Sequence, residues 1–315
     1  MTSLSALSEL AIVFAMSAAA CLLAGRYAIP WLLRTQHLAP IRYEDCPSLL
    51  AYQQTKPRVP TMGGIFVVGV AMLIAIIAGG VRSMDGWLIA LTTLATGAIG
   101  GADDVLKVRG PNGRGFRSLP KLVLTFLVGG LFGVCTWSTA PMLPVFWILF
   151  TMIVVAGTSH AVNLTDGMDG LAAGCAAIAF ATLGFMEQSN PTLPIWCAIL
   201  AGVCVGFLWF NTFPASVYLG DLGAMALGGA LAAIALLSRH PFRLVVIGGI
   251  FVIEAISVMA QVSSYKWRNK QRIFRVAPIH HHFHLGGIPE PKVIVRFWIV
   301  GALLAAVGLT RAGHP

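Results

Sequence analysis

Long apolar blocks alternate with short polar or basic links along the chain, and at about 20 residues per membrane-spanning helix they divide into ten segments. Their approximate extents are 8–33, 61–80, 86–105, 121–137, 145–163, 171–186, 195–211, 222–238, 242–265 and 293–309. The pattern predicts an all-α polytopic membrane protein of about ten transmembrane helices, built as a single integral-membrane domain over residues 1–315. The first block reaches to about Leu33 and has no basic start, which suits a spanning helix better than a cleaved signal.

Composition agrees, because 57% of the residues are hydrophobic and only 10% are charged, too little polar surface for a soluble protein of this length. The basic residues then orient the chain. Sixteen of the 21 Lys and Arg fall between Arg34 and Arg58, Lys107 and Lys121, or Lys266 and Arg296, whereas Arg82, Arg239, Arg243 and Arg311 stand on the alternate links and Arg26 lies within the first block. Cytoplasmic links carry the excess of Lys and Arg, so the larger set is cytoplasmic and both termini are periplasmic. The net charge of +9 is mostly this topological signal plus attraction to anionic lipid head groups, and calls for no nucleic acid. The six cysteines lie mostly inside apolar blocks without paired or metal-type spacing, and read as packing residues.

Among the twelve acids, five aspartates gather at the cytoplasmic ends of the apolar blocks. Asp103 and Asp104 end the third block, Asp166 and Asp169 join the fifth to the sixth, and Asp221 opens the eighth. Ionisable groups near hydrocarbon are costly and commonly line a cavity or pathway, so acids arriving from three links read as one site. Lys107 is four positions from Asp103 and three from Asp104, so on a helix one ammonium can face both carboxylates. Carboxylates suit Mg²⁺, which fills its remaining positions with water and substrate phosphate, and phosphoryl chemistry follows as the first expectation. Alone, the pair fits a helix-end salt bridge equally well.

Other links leave similar choices. Asn163 to Leu171 sets acids three apart with a glycine after each, either a backbone that brings amides to phosphate or a plain interhelical turn. Asp221 follows Gly220 at a helix start, where an N-cap is the commonest use of Asp. His280, His281, His282 and His284 crowd five positions of the last basic link. With no acid or thiol at ligand spacing beside them, phosphate and sugar contacts suit them better than zinc. Glu254, in the middle of the ninth block, is either a neutral packing group or shapes a bent span beside a lipid entrance.

Pro60-Thr61-Met62-Gly63-Gly64, Asp103-Asp104 with Lys107, Asn163 to Gly170, Gly220-Asp221, and Ala277-Pro278-Ile279-His280-His281-His282-Phe283 stand in this order along the chain. On these motifs it resembles the polyprenyl-phosphate N-acetylhexosamine-1-phosphate transferases. The triple histidine and Pro289 to Trp298 look like the branch that takes a muramoyl donor. The resemblance implies transfer of phospho-MurNAc-pentapeptide from its UDP-linked form to undecaprenyl phosphate, giving lipid I and UMP, with Mg²⁺, in the bacterial inner membrane. It admits a homodimer without requiring one. By the same resemblance Asp221 is the principal Mg²⁺ ligand, with Asp103 and Asp104 beside it as second ligand or base, and His280 meets the phosphates. Lys56, Thr61, Lys107, Asn163, Asp166, Asp169, Asn211, Tyr218, Gln261, His281 and His282 would line the substrate pocket, Tyr218 offering its ring to the uracil.

The chain departs from the family at His284 (usually Glu), Ala224 (usually Ser) and the 44–59 segment, positions that bear on substrate preference more than on reaction type. Two alternatives stand beside this reading. A transferase of the same family would use UDP-N-acetylglucosamine. An ion-coupled secondary transporter would place its acids deep in the spans and show an internal repeat, whereas here the acids gather at one face and the halves show no such repeat.

Overall fold

The long apolar blocks fold as helices, the form in which a single segment satisfies its own backbone polar groups in hydrocarbon. The computed structural model describes residues 4–35, 50, 51, 54, 56, 59–110, 115–187 and 190–310. Among them twelve α-helices follow in order: α1 (Leu4–Arg34), α2 (Gly64–Ile77), α3 (Met84–Arg109), α4 (Ser118–Thr136), α5 (Pro144–Thr165), α6 (Leu171–Met186), α7 (Thr192–Asn211), α8 (Gly220–Leu237), α9 (Pro241–Ile247), α10 (Gly249–Trp267), α11 (Ile279–His284) and α12 (Glu290–Thr310). The 44–59 segment lies outside the described residues apart from Leu50, Ala51, Gln54, Lys56 and Val59, as do Arg42, Arg58, Arg114, Arg311 and Cys46.

Each apolar block has a helical counterpart, but not every helix is a span by length and composition. Six are long and apolar enough to cross a membrane (α1, α4, α5, α7, α8 and α12), or seven if α9 and α10 are taken together. This fits a polytopic membrane protein with fewer qualifying spans than the ten blocks suggest. Helices α2 and α6 are apolar but short. Helix α3 is long but carries Asp85, Asp103, Asp104, Lys107 and Arg109 towards its ends. The ninth block is broken, since α9 and α10 meet at Gly248 with a bend of 83°.

Helix α8 is the axis of the bundle, buried at every position except Leu222 and Leu237. Helix α3 packs along it more extensively than any other helix pair in the protein packs, and α5 covers another face. Small residues permit this closeness: a side chain at Gly100 of α3 would overlap the Asp221 carbonyl, and Gly97 faces Ala226. Outer helices instead present large apolar side chains outward, among them Leu131, Ile153, Trp209 and Leu303. An apolar surface of that extent suits lipid rather than water. The tight α3–α8 pair brings the C-terminal turn of one helix against the first turn of the other.

Candidate active site

At that junction helical continuation places Lys107 Nζ 2.7 Å from Asp103 Oδ2, one turn back on α3. The same ammonium lies 2.8 Å from Asp221 Oδ2, at the start of α8. Lys121, in the first turn of α4, completes a square of alternating charge: its Nζ is 3.1 Å from Asp103 Oδ2 and also contacts Asp221 Oδ2. Both carboxylates are buried, Asp103 at 3% exposure and Asp221 at 5%. Carboxylates so placed need counter-charge, and two ammonium groups supply it. Asp103 Oδ1 also accepts the Phe116 backbone N–H.

Asp104 does something different. Its buried Oδ2 accepts the Leu222 N–H at 2.9 Å, so a carboxylate of α3 satisfies an otherwise orphaned amide in the first turn of α8. Gly220 makes room, with φ at +76° and a would-be Cβ only 2.7 Å from that oxygen. Asp221 itself is not the N-cap that its position suggests: Leu219 holds that place, and α8 has no side-chain cap hydrogen bond. Asp221 is thereby left to face the lysines.

A second group of charges lies across the 215–222 segment. Lys56 Nζ is 2.9 Å from Asp169 Oδ1 and 2.7 Å from Glu290 Oε1. Glu290 Oε1 also accepts the Asp169 N–H at 3.1 Å, and Asp169 Oδ2 accepts the Ala215 N–H at 3.0 Å. Burial pushes the Asp169 carboxyl above its ordinary range, opposed chiefly by Lys56. Asn211 ties the neighbouring turns, accepting from Gly170 N at 3.0 Å and donating to Val217 O at 2.8 Å. Half-buried Tyr218 has its hydroxyl pushed up by burial and by Asp169, Glu290 and Asp166. Asp166 closes α5, and Asn163 Nδ2 is buried without a hydrogen-bond partner among the described residues, a donor that a ligand could satisfy. Asp103 and Asp221 thus share two lysines at the α3–α8 junction with Asp104 beside them, whereas Asp169 pairs with Lys56.

The histidines take separate places. His280 is fully buried, its Nδ1 3.1 Å from Glu254 Oε1 but too bent to count as a hydrogen bond. A side chain at Gly167 would overlap its Nε2. Burial holds the His280 imidazole down at about 3 and keeps His281 well below its usual value, so both are neutral at pH 7. His282 Nδ1 accepts the Arg275 N–H at 3.2 Å. Gln261 is occupied by backbone, with Oε1 accepting from Ile273 and Phe274 and Nε2 donating to Phe274 O, so it anchors the loop before α11. Thr61 is buried beside Gly220.

Lys121 and Glu290 are the functional candidates that sequence reasoning passed over. A lysine at the mouth of a span is fully accounted for by topology. Glu290 stood out only as an acid between two prolines at the start of α12.

Among the described residues no three His, Cys, Asp or Glu side chains are grouped as a metal site. The donor chemistry nonetheless fits a divalent cation held by two acids, because Asp103 Oδ2 and Asp221 Oδ2 both come within hydrogen-bonding distance of the Lys107 ammonium.

A sequence-family model described as Glycosyl transferase family 4 matches residues 86–239, from α3 to the turn after α8. The phospho-N-acetylmuramoyl-pentapeptide-transferase of Thermodesulfovibrio yellowstonii is 37% identical over 318 residues, covering 89% of this chain and 86% of its own length. The protein of the same name from Citrifermentans bemidjiense is 38% identical over 317 residues, covering 89% and 87% respectively.

Proposed function

Because the chain belongs to the phospho-N-acetylmuramoyl-pentapeptide-transferase family, we propose that its aspartate–lysine junction transfers phospho-MurNAc-pentapeptide from the UDP-linked donor to undecaprenyl phosphate, giving lipid I and UMP. It is a glycosyl-1-phosphate transferase of peptidoglycan synthesis, and the names of its relatives favour the muramoyl donor over UDP-N-acetylglucosamine. The observation that carries the placement is the convergence of Asp103 and Asp221 on the same two ammonium groups at the meeting of three helices.

An oxygen of the lipid phosphate attacks the β-phosphorus of the donor. The new P–O bond forms as the bond to the bridging oxygen breaks, and that oxygen leaves on UMP. Both reactants are anions, so the site must neutralise charge and align the attack. Lys107 and Lys121, paired with carboxylates in the protein alone, are placed to turn towards phosphate oxygens. A divalent cation, Mg²⁺ by family resemblance, would be held by Asp221 and Asp103 and would supply further neutralisation. Asp104 keeps the first turn of α8 against α3 and so fixes where Asp221 points. His280, neutral and with Nε2 beside Gly167, can hydrogen-bond a phosphate without adding charge. Tyr218 offers a ring to the uracil, and Lys56, Asp169 and Asn211 order the turns around it.

The same reading puts the junction at the cytoplasmic face of the bacterial inner membrane, where a soluble nucleotide and a lipid can meet, with both termini on the other side. The basic links from Lys107 to Lys121 and from Lys266 to Arg275 support it.

Asp221→Asn removes a charge without changing volume, and is expected to abolish UMP release from a protein that still folds. Retained turnover at ordinary Mg²⁺ would take Asp221 out of the site. Asp103→Asn is expected to lower kcat severely and leave a residual rate, because the lipid phosphate is already a nucleophile. A stoichiometric burst of UMP without lipid phosphate, lost in Asp103→Asn, would instead make Asp103 a covalent nucleophile.

A further inference from the structure

At the end of the bundle opposite the aspartates, a cavity of about 330 Å³ opens between the start of α3, the end of α6, the start of α5 and the turn from α8 to α9. Asp85 and Asp103 stand eighteen positions apart on α3. That separation spans about 27 Å at about 1.5 Å per residue, close to the roughly 30 Å of a bilayer's hydrocarbon core. A protein with its aspartates at one head-group layer therefore holds this cavity at the other.

One wall is a row of rings. Trp147 and Phe150 have centroids 6.0 Å apart, Phe150 and Phe242 are 5.6 Å apart, and Phe242 is 73% exposed at the outer end of the row. The lining also includes Asp85, Glu187 and Arg239. Asp85 Oδ2 accepts a hydrogen bond from Asn190 Nδ2 at 2.6 Å. Glu187 is 6% exposed, yet its carboxylate makes no hydrogen bond or ion pair among the described residues. Burial pushes it above the usual carboxylate range, with Arg243 opposing at longer reach. A largely buried carboxylate that faces a cavity without a hydrogen bond suits a ligand with donors and positive charge. Two acids, one exposed arginine and an aromatic strip that runs outward together describe a molecule with an ammonium, a nearby anion and an apolar tail.

We propose that this cavity binds the head group of a zwitterionic, primary-amine phospholipid, with the ammonium on Glu187 and Asp85, the phosphate at Arg239 and an acyl chain along Phe150 and Phe242. The volume lies within the range of about 300–1,000 Å³ usual for small-molecule sites. A primary ammonium donates three hydrogen bonds and satisfies both carboxylates. A quaternary ammonium donates none, and an anionic glycerol head group brings no cation to them. The site is independent of the nucleotide chemistry at the far end of α3.

The test is native mass spectrometry of the delipidated full chain incubated in turn with phosphatidylethanolamine, phosphatidylcholine and phosphatidylglycerol of matched acyl chains. Phosphatidylethanolamine is expected to be retained in preference to the others. Glu187→Gln and Arg239→Gln, the latter at an exposed position with little bearing on folding, are each expected to reduce that retention about tenfold or more, the usual scale of a lost charge-assisted hydrogen bond. Equal retention of the three lipids, or undiminished retention in both variants, overturns the proposal. Displacement by soluble phosphoethanolamine at equal concentration also overturns it, since the ring wall would then contribute nothing.

Discussion

Lys121 is the side chain on which the charge balance of the site turns, because it is the only contributor from α4 and touches both Asp103 and Asp221. Removing one member of a buried, mutually compensated set leaves a carboxylate without counter-charge, at a cost of about 3–5 kcal/mol. Lys121→Met is accordingly expected to lower thermal stability measurably and to depress kcat/KM with UDP-MurNAc-pentapeptide. Wild-type values for both would place Lys121 outside the site. Tyr218→Ala tests the other group. Loss of an aromatic face is worth about 1 kcal/mol, so the KM for the UDP-sugar should rise roughly fivefold while that for the lipid phosphate stays put. Equal losses for both substrates would mark Tyr218 as structural. Asp103, Asp104 and Asp221 were legible as candidates because acids at the edge of hydrocarbon are rare and these arrive on one side from separate links, although a salt bridge or an N-cap would explain each alone. Lys121 was not, since a basic residue there is what any cytoplasmic link contains. Glu290 escaped for a related reason: its pairing with Lys56 spans most of the chain, and no local pattern announces it.

At the scale of elements, the site depends on how closely α3 and α8 approach. Gly100 lies against the Asp221 carbonyl with no space for a methyl group, so Gly100→Ala must part the helices where Asp103, Asp104 and Asp221 meet. Overpacking of this kind costs about 1–3 kcal/mol, and it would also pull Asp104 from the Leu222 amide. We expect much reduced UMP release with a lowered melting temperature, whereas Gly69→Ala in α2, which meets nothing within 4 Å, should leave both unchanged or slightly improved. Equal behaviour of the two variants would contradict the proposed importance of that packing. The positions of the helices were readable from the apolar blocks to within a few residues. A bent ninth block was one of the two readings of Glu254, but the place and size of the bend, 83° at Gly248, were not legible, because Gly248-Gly249 is ordinary composition for a membrane helix. Asp221 shows the same limit at smaller scale: its sequence position suits an N-cap, and the left-handed Gly220 before it moves the helix start so that the side chain faces the lysines.

For the whole molecule, the claim is that a buried axis helix and its neighbours hold two acids and two lysines where a nucleotide-linked sugar phosphate and a lipid phosphate react. The direct measurement is UMP release by the purified chain reconstituted in a bilayer, with UDP-MurNAc-pentapeptide or UDP-N-acetylglucosamine offered in turn, each with and without undecaprenyl phosphate. The account predicts sustained UMP release, with a lipid-linked pyrophosphate product, only when UDP-MurNAc-pentapeptide and undecaprenyl phosphate are present together. Sustained release with UDP-N-acetylglucosamine at a comparable rate, or no release with the muramoyl donor and its lipid acceptor, would contradict it.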